Sequence, residues 1–418
     1  MADRTLSPQY IDNEPDTLEA MQRAAERKRR FATTLDLYLV LTVSVLIAIG
    51  LMMVWSTTFY WSDPAWALFV QQVRNAGIGA VVMIGFTILD YRVWRRLAVP
   101  LMGVLIIVLL GLVTLPGIKE VFGARRAYFD GAVQPSEIAT LVVIIYMGTW
   151  LASKQTKIRS ITYGLLPFAL LVGTVAGLIL MQPDVDPAAL ILVTATGMFL
   201  LAGADWVQIG IVVLAFVIAG VIAIAQFSYA RDRFDAFVSL WRDPIQSNAS
   251  QAQNAIISFL NGGLTGVGLG ESRQKFQYLQ APHTDSIFAV IGEELGLVGC
   301  AVVVGLYVTL MLRGFRIARN APDIYGSLIA AGITISIVVK ALFNIAVMAS
   351  MVPFTGVPLP FISFGGSSLI SAMAGIGILL SISRAATKNV APTRKVNETL
   401  VVPGMRGSIS RVRQQPLE

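Results

Sequence analysis

The sequence is short of the side chains on which many soluble enzymes depend: it has one cysteine, one histidine and only 14% charged residues. The single cysteine, Cys300, excludes an internal disulfide and a thiolate metal cage. The single histidine, His283, excludes zinc sites built on several histidines and argues against a Ser-His-Asp hydrolase. The chemistry left to the chain is therefore that of carboxylates, arginines and backbone groups.

Charged residues are few because apolar residues make up 55% of the 418 positions, whereas soluble domains carry roughly 25% charged residues. A bilayer core of ~30 Å needs ~20 apolar residues per helix. Ten such runs begin near residues 37, 69, 97, 137, 162, 187, 206, 286, 323 and 364. The sequence predicts an all-α polytopic membrane protein with ten transmembrane helices.

The basic residues give this chain an expected orientation. Most of the 32 Lys and Arg residues lie in the tails or in the loops after segments two, four and eight. The positive-inside rule then places both tails in the cytoplasm. The expected organisation is a cytoplasmic tail over residues 1–36, which is not a cleavable signal, a membrane domain over 37–385 and a second cytoplasmic tail over 386–418.

A large non-cytoplasmic loop over residues 227–285 is expected between helices seven and eight. It is far longer than the ~12 to 15 residues at which a structureless loop becomes suspicious. Short helices are therefore expected inside it, one of them over residues 253–260. Nucleic acid is not an expected partner despite the net charge of +7, because no basic face is interleaved with aromatic residues.

The first polar cluster on the predicted outer side contains Arg125 and Arg126, followed by Glu137 at the start of segment four. Two adjacent arginines run counter to the charge bias, and a guanidinium group binds phosphate bidentately. Glu137 suits the positive end of a helix dipole. Anion binding and a structural Arg–Glu pair both remain open here.

A second cluster, Gln182-Pro183-Asp184-Val185-Asp186-Pro187, places two carboxylates in a rigid turn. Paired carboxylates hold a divalent cation or cap a helix. Because only two acids are present, helix capping is the favoured interpretation.

The third cluster begins at Lys275 and ends with His283, Thr284 and Asp285, before segment eight. Thr284 or Asp285 is an ordinary helix N-cap in one interpretation. In the other, burial at the membrane boundary raises the pKa of Asp285 toward the range of a general base. Inside segment eight, Glu293 and Glu294 need an internal partner, for which Lys340 is the candidate.

A fourth cluster runs from Pro353 to Ser368 and is preceded by Asn344. Its prolines and its adjacent glycines, Gly365 and Gly366, forbid a straight helix. Irregular backbone at membrane depth is tolerated where it is buried in protein or lines a cavity. A lined cavity is the favoured interpretation.

The order of these motifs resembles that of the SEDS family (shape, elongation, division, sporulation), whose main branches are FtsW and RodA. The motifs are GARR at 123–126, QPSE at 134–137, QPD at 182–184, the glycine run 262–268, HTD at 283–285, GEELGL at 292–297 and PLP-x-IS-x-GGSS at 358–368. The resemblance covers roughly residues 37–385. GEELGL, GGSSL and the N-terminal extension favour the FtsW branch.

The resemblance implies a peptidoglycan glycosyltransferase, a hexosyltransferase that polymerises lipid II in the bacterial plasma membrane during cell division or elongation. It also implies a class B penicillin-binding protein transpeptidase and other division or elongation proteins as partners. Asp285 would be the catalytic base that deprotonates the acceptor sugar hydroxyl. A divalent cation, Mg²⁺ or Mn²⁺, is a candidate cofactor at the lipid diphosphate, although no metal site is predicted.

The same resemblance implies two further sets of site residues. The substrate-binding set is Arg125, Arg126, Glu137, Lys275, His283, Thr284 and Ser363. The cavity-shaping set is Gln182, Pro183, Asp184, Asn344, Pro360, Gly365 and Gly366.

Several positions depart from the family pattern and bear on local loop shape and substrate fit. They are Ala127, Val185, Asp186, Pro187, Ala281, Ser286, Lys340 and Phe364. Two other functions stay open beside the polymerase. A lipid II flippase would move lipid II across liposomes without forming polymer, and a polymerase-inactive division scaffold would tolerate the loss of Asp285.

Overall fold

The computed structural model describes residues 36–59, 66–114, 134–154, 157–182, 184–243, 250–276, 278–279 and 281–390. Every regular element in these residues is helical, which confirms the predicted fold class. The helices are α1 Leu37–Thr58, α2 Ala67–Ile88, α3 Arg92–Thr114, α4 Pro135–Lys154, α5 Leu166–Leu180, α6 Val185–Leu201, α7 Trp206–Gln226, α8 Ser228–Arg242, α9 Ser250–Gly262, α10 Ile287–Arg319, α11 Ile324–Met348 and α12 Gly366–Val390. A π-helical turn, Ile161–Leu165, leads into α5.

In the described residues, nine helical segments are long and apolar enough to cross a membrane. The remaining apolar helix, α6, has 17 residues, somewhat fewer than the ~20 that a bilayer core requires. The ten predicted runs begin within a few residues of the helices found, but the count of ten spans stays a prediction. The expected short helices of the long loop are α8 and α9, and α9 contains the predicted segment 253–260.

The helix α11 lies near the centre of the bundle and packs against α4, α6, α10 and α12. At the periphery, only 6% of the apolar stretch of α7 is buried. Lipid tails are as apolar as leucine side chains, so such exposure carries no hydrophobic penalty in a membrane. The burial pattern is that of a bundle surrounded by lipid.

A break in α10 fixes the position of the loop that follows α9. Gly296 has a φ of 66°, which glycine adopts without the strain of a Cβ atom. The break frees backbone groups of α10, and a Cβ on Gly266 would collide with the backbone of Glu294. Backbone hydrogen bonds join the two segments, from Val267 to Glu293, Gly268 to Glu294, Leu297 to Gly263 and Val298 to Leu264. The glycine run 262–268 and the GEELGL motif therefore form one structural unit.

An ion pair joins two helices at the end of the bundle where α1 begins and α10 ends. Asp36 caps α1 by accepting a hydrogen bond from the backbone of Leu39. Its carboxylate also pairs with Arg313 on α10, at 2.7 Å between Nη2 and Oδ2. This ion pair therefore holds α1 and α10 together at that end of the bundle.

Candidate active site

A cavity of about 1420 Å³ lies at the end of the bundle where α4, α6 and α12 begin. Its wall contains side chains of α2, α4, α6, α8, α11 and α12 and of the segments before α10 and α12. Phe354, Gly356, Pro358 and Pro360 are among the lining residues. The irregular segment between α11 and α12 thus lines a cavity, as its prolines and glycines indicated.

Asp285 is part of the cavity wall, two residues before α10 begins. Burial raises the pKa of its carboxyl to about 6, although a hydrogen bond from Thr284 opposes that shift. The Thr284 hydroxyl donates to Oδ1 at 3.0 Å. A carboxyl with this pKa is largely ionised at neutral pH and binds a proton more strongly than an ordinary aspartate. Those are the properties of a general base.

The backbone around Asp285 is held by the segment between α11 and α12. The Ser363 hydroxyl donates to the carbonyl oxygen of Thr284 and accepts from the backbone N–H of Leu359 at 2.7 Å. In addition, the backbone N–H of Phe364 donates to the carbonyl of His283 at 2.8 Å. Ser363 thus positions the HTD segment from behind the cavity wall.

Asn344 on α11 joins the same two segments. Its Nδ2 donates to the carbonyl oxygens of Asp285 and Val357, each at 2.7 Å. The amide is buried, with the residue 1% exposed. A substitution here would release the backbone of Asp285 without touching its carboxylate.

Helix capping is wrong for Thr284 and Asp285, and for Asp184 it holds in position only. The N-cap residue of α10 is Ser286, so Thr284 and Asp285 both precede the cap. Asp184 occupies the N-cap position of α6, but its side chain makes no capping hydrogen bond. Instead, its Oδ2 accepts from Gln134 at 3.3 Å and from Ser136 at 3.4 Å. The carboxylate thereby links the start of α4 to the start of α6.

Glu137 lies in the first turn of α4, as predicted, but its partner was not foreseen. Lys340 of α11 donates to both of its carboxylate oxygens, at 2.6 and 2.7 Å, and to the Ser368 hydroxyl at 2.8 Å. The predicted pairing of Lys340 with Glu293 or Glu294 is therefore wrong. All three side chains border the cavity.

The two adjacent glutamates of α10 bind the loop that follows α9. Glu294 pairs with Lys275 at 2.8 Å, and both side chains are 0% exposed. Glu293 accepts hydrogen bonds from the Ser272 hydroxyl and from the backbone N–H groups of Arg273 and Gln274. Lys275, which the resemblance assigns to substrate binding, is thus also part of a buried ion pair beside the cavity.

Arg233 is a charged group of the cavity that the motifs did not identify. It lies on α8 and pairs with Asp186 at 3.7 Å, and its guanidinium lies over the ring of Phe354. The sequence identified Asp186 as one of the two carboxylates of its turn and as a departure from the family pattern, but it indicated no arginine partner. The available signal was the charged run 231–233 within the expected helix-containing loop.

The structure divides the predicted site residues into three groups. Those that line the cavity are Glu137, Asp184, Lys275, His283, Thr284, Asp285, Pro360, Gly365 and Gly366. Those buried outside its lining are Gln182, Asn344 and Ser363. Those outside the described residues are Arg125, Arg126 and Pro183.

His283 is a neutral group at physiological pH. Burial lowers the pKa of its imidazole from the ordinary value near 6.5. Its ring meets Phe364 edge-on, with centroids 5.6 Å apart. Since a neutral imidazole adds no charge, the electrostatics around Asp285 come from the carboxylates, arginines and lysines.

The described part of the chain brings no three or more His, Cys, Asp or Glu side chains together as a metal site. Within the described ranges, side chains alone therefore form no cage for Mg²⁺ or Mn²⁺.

The helices and the cavity define the class: a multi-pass α-helical membrane protein with a cavity at one end of its bundle, whose wall contains charged side chains and a carboxyl of raised pKa. A family model for the cell cycle proteins FtsW, RodA and SpoVE matches residues 36–388. The chain belongs to this family, which is the SEDS family that its motifs resemble.

Individual relatives agree with this assignment. Stage V sporulation protein E of Bacillus subtilis is 37% identical over 366 residues, which cover 84% of this chain and 98% of the relative. A probable peptidoglycan glycosyltransferase FtsW of Trichlorobacter lovleyi is 38% identical over 359 residues, covering 83% of this chain and 93% of the relative. Because both a sporulation protein and an FtsW are this similar, the assignment to the FtsW branch stays a prediction.

A solved structure supports the fold directly. This chain is similar to a chain in a solved structure that is described as structural coordination of polymerization and crosslinking by a peptidoglycan synthase complex. The TM-score is 0.69 at 27% sequence identity, and the likeness covers 85% of this chain and 99% of the other.

Proposed function

We propose that this chain is a peptidoglycan glycosyltransferase that polymerises lipid II, with Asp285 as the general base. The observation that carries the proposal is a carboxyl with a pKa of about 6 in the wall of a cavity of about 1420 Å³. Family membership supports the reaction class, since relatives of similar length are named peptidoglycan glycosyltransferases.

In the proposed reaction, a hydroxyl of the acceptor sugar attacks the anomeric carbon of the donor. Asp285 accepts the hydroxyl proton as the new carbon–oxygen bond forms. The bond between the anomeric carbon and the lipid diphosphate breaks, and the diphosphate leaves with the electron pair. Cationic side chains of the cavity are suited to stabilise that departing charge.

The other predicted site residues have roles that remain part of the proposal. Arg125 and Arg126 would bind the diphosphate as bidentate ligands. Glu137, Lys275, His283 and Thr284 would contact the substrate, and Ser363 would act through the backbone before Asp285. A divalent cation at the diphosphate remains a prediction.

The proposal includes a location and a partner. The cavity would face the outer side of the bacterial plasma membrane, with both tails in the cytoplasm, as the distribution of basic residues indicates. A class B penicillin-binding protein is the proposed partner, because the structurally similar chain comes from a complex that couples polymerization to crosslinking.

The test is polymerisation of labelled lipid II by the purified protein in liposomes, with and without a co-expressed class B penicillin-binding protein. Glycan polymer that depends on this chain would support the proposal. Passage of lipid II across the membrane without polymer would support the flippase. If a folded protein with its partner bound showed neither activity, the division scaffold would be the remaining hypothesis.

The rate of polymerisation is expected to rise with pH up to about 6 and then level off. The sign follows from the raised pKa of Asp285: below it the carboxyl is protonated and cannot accept the hydroxyl proton. Each unit of pH below the pKa should lower the rate about tenfold. Initial rates from about pH 5 to about pH 8 check this, and a flat profile would contradict the assignment of the base.

Replacing Asn344 by leucine is expected to lower kcat by about 10- to 100-fold with little change in KM. The variant removes both hydrogen bonds to the backbone of Asp285 and Val357, and small displacements of a reacting group have effects of this size. Gln208→Leu is the matched control, because it removes a buried amide donor to the Ile158 carbonyl away from the cavity. Equal loss per folded molecule in both variants would refute a positioning role.

A further inference from the structure

Asp186 and Arg233 form an ion pair at the edge of the cavity. Arg233 Nη1 lies 3.7 Å from Asp186 Oδ2, and the two side chains are 23% and 17% exposed. The same oxygen of Asp186 accepts a hydrogen bond from the backbone N–H of Gly356 at 3.1 Å. One carboxylate at the start of α6 therefore connects α8 to the segment between α11 and α12.

Asp285 lies beside the same glycine. A Cβ atom built on Gly356 would lie 3.8 Å from Asp285 Oδ2 and 4.0 Å from Asp186 Oδ2. The two carboxylates therefore flank one backbone position, and the charge of Arg233 acts on both of them. Its attraction for the ionised form of Asp285 lowers the pKa of that carboxyl, against the larger effect of burial.

The other charged groups of the cavity include two lysines that pair with glutamates. Lys340 pairs with Glu137, and Lys275 pairs with Glu294. The remaining charged or titratable lining residues are Arg74 on α2, Asp184 before α6, Asp232 on α8 and His283 in the segment of Asp285. A change at Asp186 leaves all of these in place.

We propose that Asp186 is a positioning residue that competes with Asp285 for the guanidinium group of Arg233 and thereby sets how basic the Asp285 carboxylate is. The inference rests on the proposed function, in which Asp285 accepts a proton. It follows from geometry: the two carboxylates flank Gly356, and the arginine that pairs with Asp186 is close enough for its charge to act on Asp285. While that pair is intact, only part of the positive charge of Arg233 acts on Asp285.

Two variants give opposite expected results. In Asp186→Asn, the charge of Arg233 is no longer offset, so the acidic limb of the pH–rate profile should move to lower pH by about one unit. The loss of a neighbouring negative charge acts in the same direction. In Arg233→Gln, the acidic limb should move to higher pH, because Asp285 loses a cation that favours its ionised form.

The control is Asp205→Asn, which alters an Arg–Asp pair of similar length near the other end of α6. Arg159 Nε lies 3.5 Å from Asp205 Oδ1, with side chains 75% and 48% exposed. This variant should leave the profile unchanged. If Asp186 had a purely structural role, Asp186→Asn would lower the rate at every pH without moving the acidic limb of the pH–rate profile.

The same variants should be titrated by infrared spectroscopy of the protonated Asp285 carboxyl, whose band is identified by its loss in Asp285→Asn. This measurement needs no turnover. If the wild type makes polymer and neither variant moves the limb or the infrared midpoint, the inference about Asp186 is wrong and the proposed function stands. If the wild type makes no polymer, the proposed function is wrong, and the infrared midpoints alone decide whether Asp186 and Arg233 control Asp285.

Discussion

Replacing Asp285 by asparagine is expected to reduce lipid II polymerisation by about 10²- to 10⁴-fold, the usual contribution of a general base. The amide has nearly the same size and still accepts the hydrogen bond from Thr284, which reaches Oδ1 at 3.0 Å in the wild type. What it cannot do is accept a proton from the attacking hydroxyl. A loss of about three decades corresponds to about 4 kcal/mol of transition-state stabilisation.

The measurement is the initial rate of glycan formation per folded molecule, with folding followed by thermal unfolding in detergent. Asp90→Asn is the matched control, because Asp90 is exposed, precedes α3 and lies away from the cavity. Asp285→Glu should keep part of the activity, since it retains a base with a longer reach. Full activity in Asp285→Asn with an unchanged pH profile would remove the general base from the proposal and favour the scaffold.

The helices could be predicted from the sequence because a helix that crosses a lipid bilayer must be long and apolar. Each crossing needs an apolar run of ~20 residues, so the runs near residues 37, 206 and 323 mark α1, α7 and α11 closely. The break in α10 could not be predicted in the same way. Gly296 lies in an apolar run that suits an uninterrupted helix, and its φ of 66° depends on contacts with a loop some thirty residues earlier in the chain.

Asp285 could be predicted as a candidate because its motif is local, whereas charge pairs depend on how helices pack. The sequence indicated that Glu293 and Glu294 need an internal partner at membrane depth, and Lys340 was the candidate. It could not distinguish Lys340 from Lys275 as that partner, since both are basic residues near the same end of the bundle. The structure pairs Lys340 with Glu137 and Lys275 with Glu294, a choice made by the packing of α4 against α11.

Arg233 was missed for a related reason. It lies in a segment whose sequence predicts a short helix but not the direction in which that helix presents its charges. Its position over Phe354 and beside Asp186 depends on where α8 lies across the cavity. The chemistry of a local sequence motif is thus easier to predict than the distant residues that contact it.

Replacing Lys275 by methionine is expected to destabilise the protein by about 3 to 5 kcal/mol, because it leaves the partner carboxylate buried and unpaired. The ammonium group of Lys275 donates to Glu294 Oε1 at 2.8 Å and to the Gly270 carbonyl at 2.7 Å. Glu294 also accepts a hydrogen bond from Ser56 of α1 at 2.7 Å. Loss of the lysine should therefore loosen the loop after α9 from both α10 and α1.

The double variant Lys275→Met/Glu294→Gln separates a structural role from a substrate-binding role. Without the second charge, no buried carboxylate is left unpaired, so the thermal unfolding midpoint should recover much of what the single variant lost. Arg159→Met is the exposed control and should change the midpoint little, since surface pairs contribute ~0 to 1 kcal/mol. If Lys275→Met unfolds like the wild type yet fails to polymerise lipid II, the lysine acts on the substrate and the ion pair is not what holds the loop. If instead the double variant recovers both stability and activity, the charge of Lys275 is not needed for the substrate, and its place in the reaction is to position the loop beside Asp285.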